Sequence, residues 1–274
     1  MGSSPADTIP PERLAGKVAV ITGAGTGIGA ATARRFAAEG AAVVLTGRRE
    51  EPLHAAAEGL GERALCVPAD VTDAAAVRGV RDAALDRFGG LDIVVANAGG
   101  HGVGAATDVD DAAWQRGLQA NLNSAFVTAR ETLPELRSRH GCMVMVSSIA
   151  GLAAAPEMCG YVTAKHALIG LTRSLARDYG KDGVRVNALC PGWVRTPMAD
   201  AEMDELGRLH GIGRQEAYRL ATKDTPLGRP AEPEEIASII AFLGSADSAV
   251  MTGTVLVADA GAGAVDLPTL AFTP

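Results

Sequence analysis

The chain has 274 residues, 47% hydrophobic and 21% charged, a balance that supports a sizeable buried core and excludes an intrinsically disordered chain. Its net charge of −7, with Lys and Arg dispersed, excludes a broad basic surface for nucleic acid or an acidic membrane. No apolar run approaches the length of a membrane span, and the opening MGSSPADTIPPERL has no basic start followed by an apolar stretch. A cytoplasmic protein is therefore expected, with residues 1–14 as a flexible tail. The four cysteines, Cys66, Cys142, Cys159 and Cys190, lack paired metal-ligand spacing, so they are expected as buried thiols in a reducing compartment, with Cys159 the one placed to touch a substrate, and no metal is expected.

In chain order, short β-branched runs alternate with longer Ala-rich stretches of helical period. KVAVIT is followed by a helix over Ile28 to Glu39, AAVVLT by one over Glu50 to Leu60, RALCVP by one over Asp73 to Phe88, and then comes LDIVVA. A long helix over Asp111 to Arg139, the strand CMVMVSS, a helix over Tyr161 to Tyr179, the strand VRVNALC and a last strand TVLVA complete the series. Such alternation predicts βαβ units and a parallel sheet, and strands apolar throughout predict helices on both faces. Right-handed crossovers then favour a doubly wound, seven-stranded α/β sheet of order 3-2-1-4-5-6-7, a Rossmann fold in one domain over residues 15–274. Residues 197–229 break the rhythm with a polar, partly helical insertion holding Gly207, Gly211 and Gly213, expected as a hinged lid over a ligand cleft.

Directly after the first strand, Thr22-Gly23-Ala24-Gly25-Thr26-Gly27-Ile28-Gly29 opens the first helix. Glycines let the backbone turn tightly and approach a pyrophosphate, whose charge the helix N-terminus favours. The residues satisfy both G-x-x-x-G-x-G and G-x-G-x-x-A, so the spacing points to a dinucleotide without choosing an enzyme class. Where an acidic residue would hold the ribose 2′-hydroxyl of NAD, the chain has Gly47, Arg48 and Arg49. Two guanidiniums in place of a carboxylate suit a 2′-phosphate, so NADP(H) is favoured over NAD(H).

Ser148 ends the fifth strand, and Tyr161 and Lys165 follow with helical i, i+4 spacing, which puts phenol and ammonium on one face at the strand C-terminal edge. A ketone accepting hydride becomes an alkoxide, and a phenol can supply the proton if its pKa falls below the ordinary value near 10. An ammonium about 4 Å away, at an effective dielectric near 20, is worth up to about 4 kcal/mol and is expected to lower it. Ser148 would donate to the carbonyl oxygen as charge develops there.

These residues, with Asp70-Val71, Asn97-Ala98-Gly99, Asn121, Asn187, Pro191-Gly192 and Thr196 in order, make the chain resemble the classical short-chain dehydrogenase/reductase family over roughly Gly16 to Gly261. The resemblance implies an oxidoreductase that interconverts a secondary alcohol and a ketone, with Asn121, Ser148, Tyr161 and Lys165 as a catalytic tetrad. It implies that Asn121 helps hold a water linking Lys165 to solvent, and that Tyr161 and Lys165 also meet the cofactor. Gly23, Thr26, Gly27, Ile28 and Gly29 would cradle it, Asp70 and Val71 would face the adenine, and Asn97, Ala98 and Gly99 would line it. Pro191, Gly192, Val194 and Thr196 would lie beside the carboxamide. The chain departs from the family pattern at Ala96, at Met145 and in the run Ala258-Asp259-Ala260-Gly261. Paired long helices imply a homotetramer or homodimer, with the tail from Ala262 near a partner subunit.

His101, Ala153, Ala154, Met158, Cys159, Trp193, Met198 and parts of the expected lid are candidate substrate-wall residues, a largely apolar set that suggests a bulky or lipophilic small-molecule ketone or alcohol. Two other readings stand beside this one. A 3-oxoacyl carrier-protein reductase needs a basic docking patch, for which Arg130, Arg137 and Arg139 are the candidates. A catalytically inactive dinucleotide-sensing regulator would keep the fold and lose the tetrad.

Overall fold

The computed structural model describes residues 12–272. Most of the expected tail, residues 1–11, lies outside them, but Arg13 and Leu14 do not belong to a loose segment. Leu14 is buried, and the Arg13 guanidinium makes two 2.7 Å hydrogen bonds to the fully buried Glu39 carboxylate, which also pairs with Arg35. A buried carboxylate needs such partners to remain charged.

Seven parallel strands, β1 (Val18–Thr22), β2 (Ala42–Gly47), β3 (Ala64–Pro68), β4 (Ile93–Ala96), β5 (Cys142–Val146), β6 (Arg185–Pro191) and β7 (Val255–Ala258), form one sheet in the order β3-β2-β1-β4-β5-β6-β7. The expected order is the observed one. Alternate side chains go to opposite faces, and each face has its own core. Ala19, Ile21, Val43, Leu45, Ile93, Val95 and Val144 meet α1 (Gly27–Ala38), α2 (Glu50–Ala57) and α9 (Pro233–Gly244). Val18, Val20, Val44, Val94, Met143, Met145 and Val186 meet α3 (Ala74–Phe88), α5 (Ser124–Ser138) and α6 (Cys159–Tyr179) on the other. Burial on both faces is why these strands lack polar alternation.

The long helix expected over Asp111 to Arg139 is not continuous. It consists of α4 (Asp111–Leu118), a π-helical turn over Gln119–Asn123, and α5. A π turn inserts an extra residue, and here it rotates Asn121 inward until it is fully buried. The helix α9 has no counterpart in the pattern read from the sequence, although Pro233 in its first turn and the Glu235 carboxylate accepting the Glu232 N–H at 2.8 Å make a recognisable start.

The segment expected as a hinged lid is two helices, α7 (Pro197–His210) and α8 (Arg214–Thr222). Its glycines close a tight turn between them: Gly211 is the left-handed cap of α7, and a Cβ on Gly207 would fall 2.6 Å from the Ile212 carbonyl oxygen. Ala199, Met203, Ala217 and Tyr218 form a small core of their own between the helices. The Tyr218 hydroxyl donates to Asp200 at 2.9 Å, and the Arg195 guanidinium lies 4.5 Å from the Tyr218 ring centre. Among the described residues no helix is long and apolar enough to cross a membrane.

Candidate functional site

The chain runs out from β1 to β2 and β3 on one side and resumes on the other at β4, so the sheet reverses between β1 and β4. Ligands of open α/β sheets bind in the crevice beyond such a point. The glycine loop lies there. Gly23 and Gly27 take positive φ, and a Cβ on Gly29 would fall 2.3 Å from the Gly23 carbonyl oxygen, so this path of the chain requires glycine at Gly29. Thr26 caps α1 through its backbone alone, and the first turn holds no acidic residue, which leaves the helix N-terminus with its N–H groups for an anion.

Asn97, expected to line a cofactor, fastens this loop from beneath. Its Nδ2 donates to the carbonyls of Thr22 at 2.9 Å and Gly23 at 3.3 Å, while the buried Thr22 hydroxyl accepts the N–H groups of Asn97 and Ala98. Thr22 has no side chain that advertised this part in the sequence beyond its place before the first glycine.

At the end of β2, Arg48 and Arg49 are exposed, and among the described residues neither makes an ion pair. The adjacent Asp70 carboxylate accepts the N–H of Thr72 at 3.0 Å and its hydroxyl at 2.8 Å. Those bonds, and secondarily Arg48, hold it below the ordinary carboxylate range. Val71 beside it is buried.

Asn121 reaches across to the loop after β4. Its Oδ1 accepts the Gly100 N–H at 3.1 Å and its Nδ2 donates to the Gly117 carbonyl at 3.0 Å. Gly99 lies against it, and a Cβ there would fall 2.9 Å from that Oδ1 and 3.7 Å from the Lys165 ammonium. Loop, π turn and lysine thus converge. Lys165 is buried and its Nζ donates to the Val146 carbonyl at 3.0 Å, while the ammonium lies 5.5 Å from the Tyr161 ring centre. Ser147, unremarked in the sequence, donates to the Lys165 carbonyl at 2.9 Å and so anchors α6 to the end of β5. Ser148 accepts the Ala150 N–H at 3.1 Å in the turn that follows.

The electrostatics differ from the expectation that Lys165 would depress the phenol. Burial pushes the Tyr161 phenol above its ordinary value; Ser148 pulls it partly back, and the Glu202 carboxylate pushes it further up. Burial also acts on the lysine, holding it down to about 8. Burial shifts both groups toward their neutral forms because low-dielectric surroundings disfavour charge, and at 5.5 Å from the ring centre the lysine does not reverse that for the phenol.

The far side of the cleft is built by β6 and α7. Gly192 passes within 2.8 Å of the Asp259 Cα for any Cβ it would carry, which brings the Pro191-Gly192 turn close under the C-terminal segment. Val194 is buried and paired in a bridge to Ala231, so its side chain belongs to the core. Asn187 ties β6 toward β7 by donating to the Met251 carbonyl at 2.8 Å and accepting the Thr254 N–H at 3.1 Å. Thr196 caps α7, its Oγ1 accepting the Ala199 N–H at 3.2 Å, and its methyl lies 2.9 Å from where a Gly27 Cβ would be.

Of the wall candidates, Met198 is exposed in the first turn of α7, and Ala153 and Ala154 are exposed in the loop after β5. Trp193 packs against the small core of α7 and α8. Met158 pairs with Gly104, which brings the 101–104 loop onto the start of α6, where the Tyr161 N–H donates to the Gly102 carbonyl at 3.2 Å. Cys159 lines a depression with Val109, Trp114 and Thr163. His101 faces Glu202, its Nδ1 3.5 Å from a carboxylate oxygen. Glu202 was missed because nothing in a polar helix marks which of its carboxylates turns inward.

With this geometry stand the likenesses to known proteins. The chain matches the family described as enoyl-(acyl carrier protein) reductase over residues 23–263. It is 49% identical to protein MoaE of Klebsiella aerogenes over 256 residues, 93% of this chain and 99% of that one. It is 38% identical to the meso-2,3-butanediol dehydrogenase of Serratia marcescens, over 93% of this chain and 97% of that one. Among solved structures, the L-sorbose reductase of Gluconobacter frateurii complexed with NADPH and L-sorbose superposes with a TM-score of 0.85 at 34% identity, over 90% of this chain and 96% of that one. The chain belongs to the short-chain dehydrogenase/reductase family and is an oxidoreductase of that family.

Proposed function

We propose that the protein interconverts a secondary alcohol and a ketone with NADP(H), Tyr161 transferring the proton. The observation that carries this reading is the convergence of Ser148, Tyr161, Lys165 and Asn121 at the C-terminal edge of β4 and β5, beside a helix N-terminus left free for an anion. The donor set fits a dinucleotide: free N–H groups at the start of α1 for the pyrophosphate, and Arg48 and Arg49, which make no ion pair among the described residues, for a 2′-phosphate. Asp70 and Val71 would border the adenine. Tyr161 and Lys165 would meet the nicotinamide ribose, and Pro191, Gly192 and Thr196 would border the ring. When bound, the nicotinamide supplies or takes the hydride. The names of the relatives, a butanediol dehydrogenase and a sorbose reductase complexed with NADPH, support the same class.

In the reducing direction the Tyr161 hydroxyl gives its proton to the carbonyl oxygen, which the Ser148 hydroxyl steadies as it gains charge. Lys165, held by the Val146 carbonyl, lies behind the phenol, and Asn121 keeps the 97–100 loop at its distance from that lysine. The α7–α8 segment is the substrate lid of this reading. A carrier-protein substrate is disfavoured because Arg130, Arg137 and Arg139 are each engaged, with Glu131, Asp182 and Asp92.

Turnover with NADPH and NADH, in wild type and in Tyr161→Phe, tests the reading. Preference for NADPH and loss of at least about 1000-fold in kcat without loss of cofactor binding are expected. Unchanged turnover in the variant would overturn the role of Tyr161, absence of turnover in wild type would leave a dinucleotide-sensing protein, and preference for NADH would overturn the choice of cofactor. A homotetramer or homodimer is part of the same proposal, supported by the large exposed side chain of Phe126 on α5; light scattering at the mass of a monomer would refute it.

A further inference from the structure

We infer that Glu202 reads the substrate: its carboxylate receives a hydroxyl or ammonium group carried close to the reacting carbonyl. The inference rests on the reaction proposed above. Glu202 sits on α7, the helix that Thr196 caps against the glycine loop. Met198, one turn earlier on the same helix, shares its face and supplies apolar wall. Opposite stands His101, one residue from Gly102, whose carbonyl accepts the Tyr161 N–H. The carboxylate therefore borders the same space as the phenol, and its field is felt there.

What distinguishes Glu202 is an unmet demand. Its side chain is only 34% exposed, yet among the described residues it accepts no hydrogen bond, and its one ionic neighbour, His101, is 3.5 Å away. Other carboxylates withdrawn from water are served: the buried Glu39 by Arg13 and Arg35, the buried Asp92 by Arg139 and the Val18 N–H, and the part-buried Asp200 by Tyr218. A carboxylate has room for about four hydrogen bonds, and one half withdrawn from water gains most from a donor brought to it. A ligand held between Ser148, Tyr161 and α7 can bring one. A hydroxyl on the carbon next to the carbonyl gives a neutral donor and an amine a charged one, the second being the stronger partner. An apolar ketone of the same shape offers neither. The wall is thus not uniformly apolar, and a purely lipophilic substrate leaves its one carboxylate unsatisfied.

The test compares acetophenone, α-hydroxyacetophenone and α-aminoacetophenone as substrates of wild type, Glu202→Gln and Glu202→Ala with NADPH. Wild type is expected to favour the two substituted ketones. Glu202→Ala should lose about 10-fold in kcat/KM on the hydroxyl and about 100-fold on the amine, chiefly in KM, with acetophenone within about twofold. Glu202→Gln, which keeps shape and an acceptor oxygen, should lose mainly on the amine, and it carries the test if the alanine variant does not fold. Cofactor affinity should not move in either variant. An equal fall on all three ketones, or no fall on any, overturns the inference and leaves the reaction standing. Wild type that reduces no ketone with NADPH or NADH overturns the reaction and this inference with it.

Discussion

Asn97 donates from its side chain to the carbonyl of Thr22 at 2.9 Å, so the loop after the fourth strand fastens the end of the first at the place where the sheet reverses. Asn97→Ala removes that bond and the one to Gly23, leaving two carbonyls of the glycine loop without their donor. A destabilisation of about 1–3 kcal/mol and at least about 10-fold weaker dinucleotide binding are expected, measured by urea unfolding and by titration of cofactor fluorescence. Unaltered affinity would show that the loop holds its shape without the asparagine.

The phenol of Tyr161 stands above its ordinary value because it is buried and faces Glu202. Its acid form is what ketone reduction needs, so kcat/KM for reduction should stay level from pH 6 to about 9. Alcohol oxidation needs the base form and should still be rising at pH 9. An oxidation profile that levels off below pH 7 would mean that the phenol is depressed in the working enzyme.

Lys165 gives a prediction about stability. Its proton is held at about 8 in the fold and near 10.5 in the unfolded chain, so between those values the unfolded chain binds more protons and stability rises with pH. Below about pH 8 the cost of burying the charge is present in full. Wild type should therefore gain on Lys165→Met as the pH climbs from 8 to 10.5, in parallel urea melts. A constant difference across that window would place the lysine pKa at its ordinary value.

Arg48 and Arg49 have no ion pairs to lose among the described residues, so replacing both by alanine should leave the melting temperature within about 2 degrees. Affinity for NADPH should fall by about 10- to 100-fold while that for NADH stays level or improves. Equal effects on the two cofactors would mean that the arginines do not meet a 2′-phosphate.

The sheet was legible because its evidence is periodic: runs such as VAVIT and IVVA between amphipathic helices leave few topologies, and the right-handed crossover selects among them. The glycine loop was legible for a related reason, since at Gly29 backbone and asparagine leave no space for a Cβ. The break in the long helix was not, because a π turn has no residue signature and Asn121 looks like any polar helical residue until its partners at Gly100 and Gly117 are in place. Nor was the balance at Tyr161. Sequence spacing placed an ammonium beside a phenol, but burial, which decides the sign, and the added push of the Glu202 carboxylate exist only in the folded chain. The α9 helix was overlooked although Pro233 and Glu235 mark its start, a signal present and unused.

The two helices after Thr196 carry a miniature core, Ala199, Met203, Ala217 and Tyr218, that is separate from the two cores flanking the sheet. They meet the rest of the chain at the Thr196–Gly27 contact, at the facing pair His101 and Glu202, and near the bridge from Val194 to Ala231. Such a unit can open on its own, at a fraction of the free energy that unfolding the sheet demands. It can also be rewritten on its own. If this segment covers the substrate as proposed, changes along α7 would alter which molecules are accepted without disturbing the strands that position Ser148 or the helix that presents Tyr161, so over evolutionary time one scaffold can exchange its clientele by editing about two dozen residues.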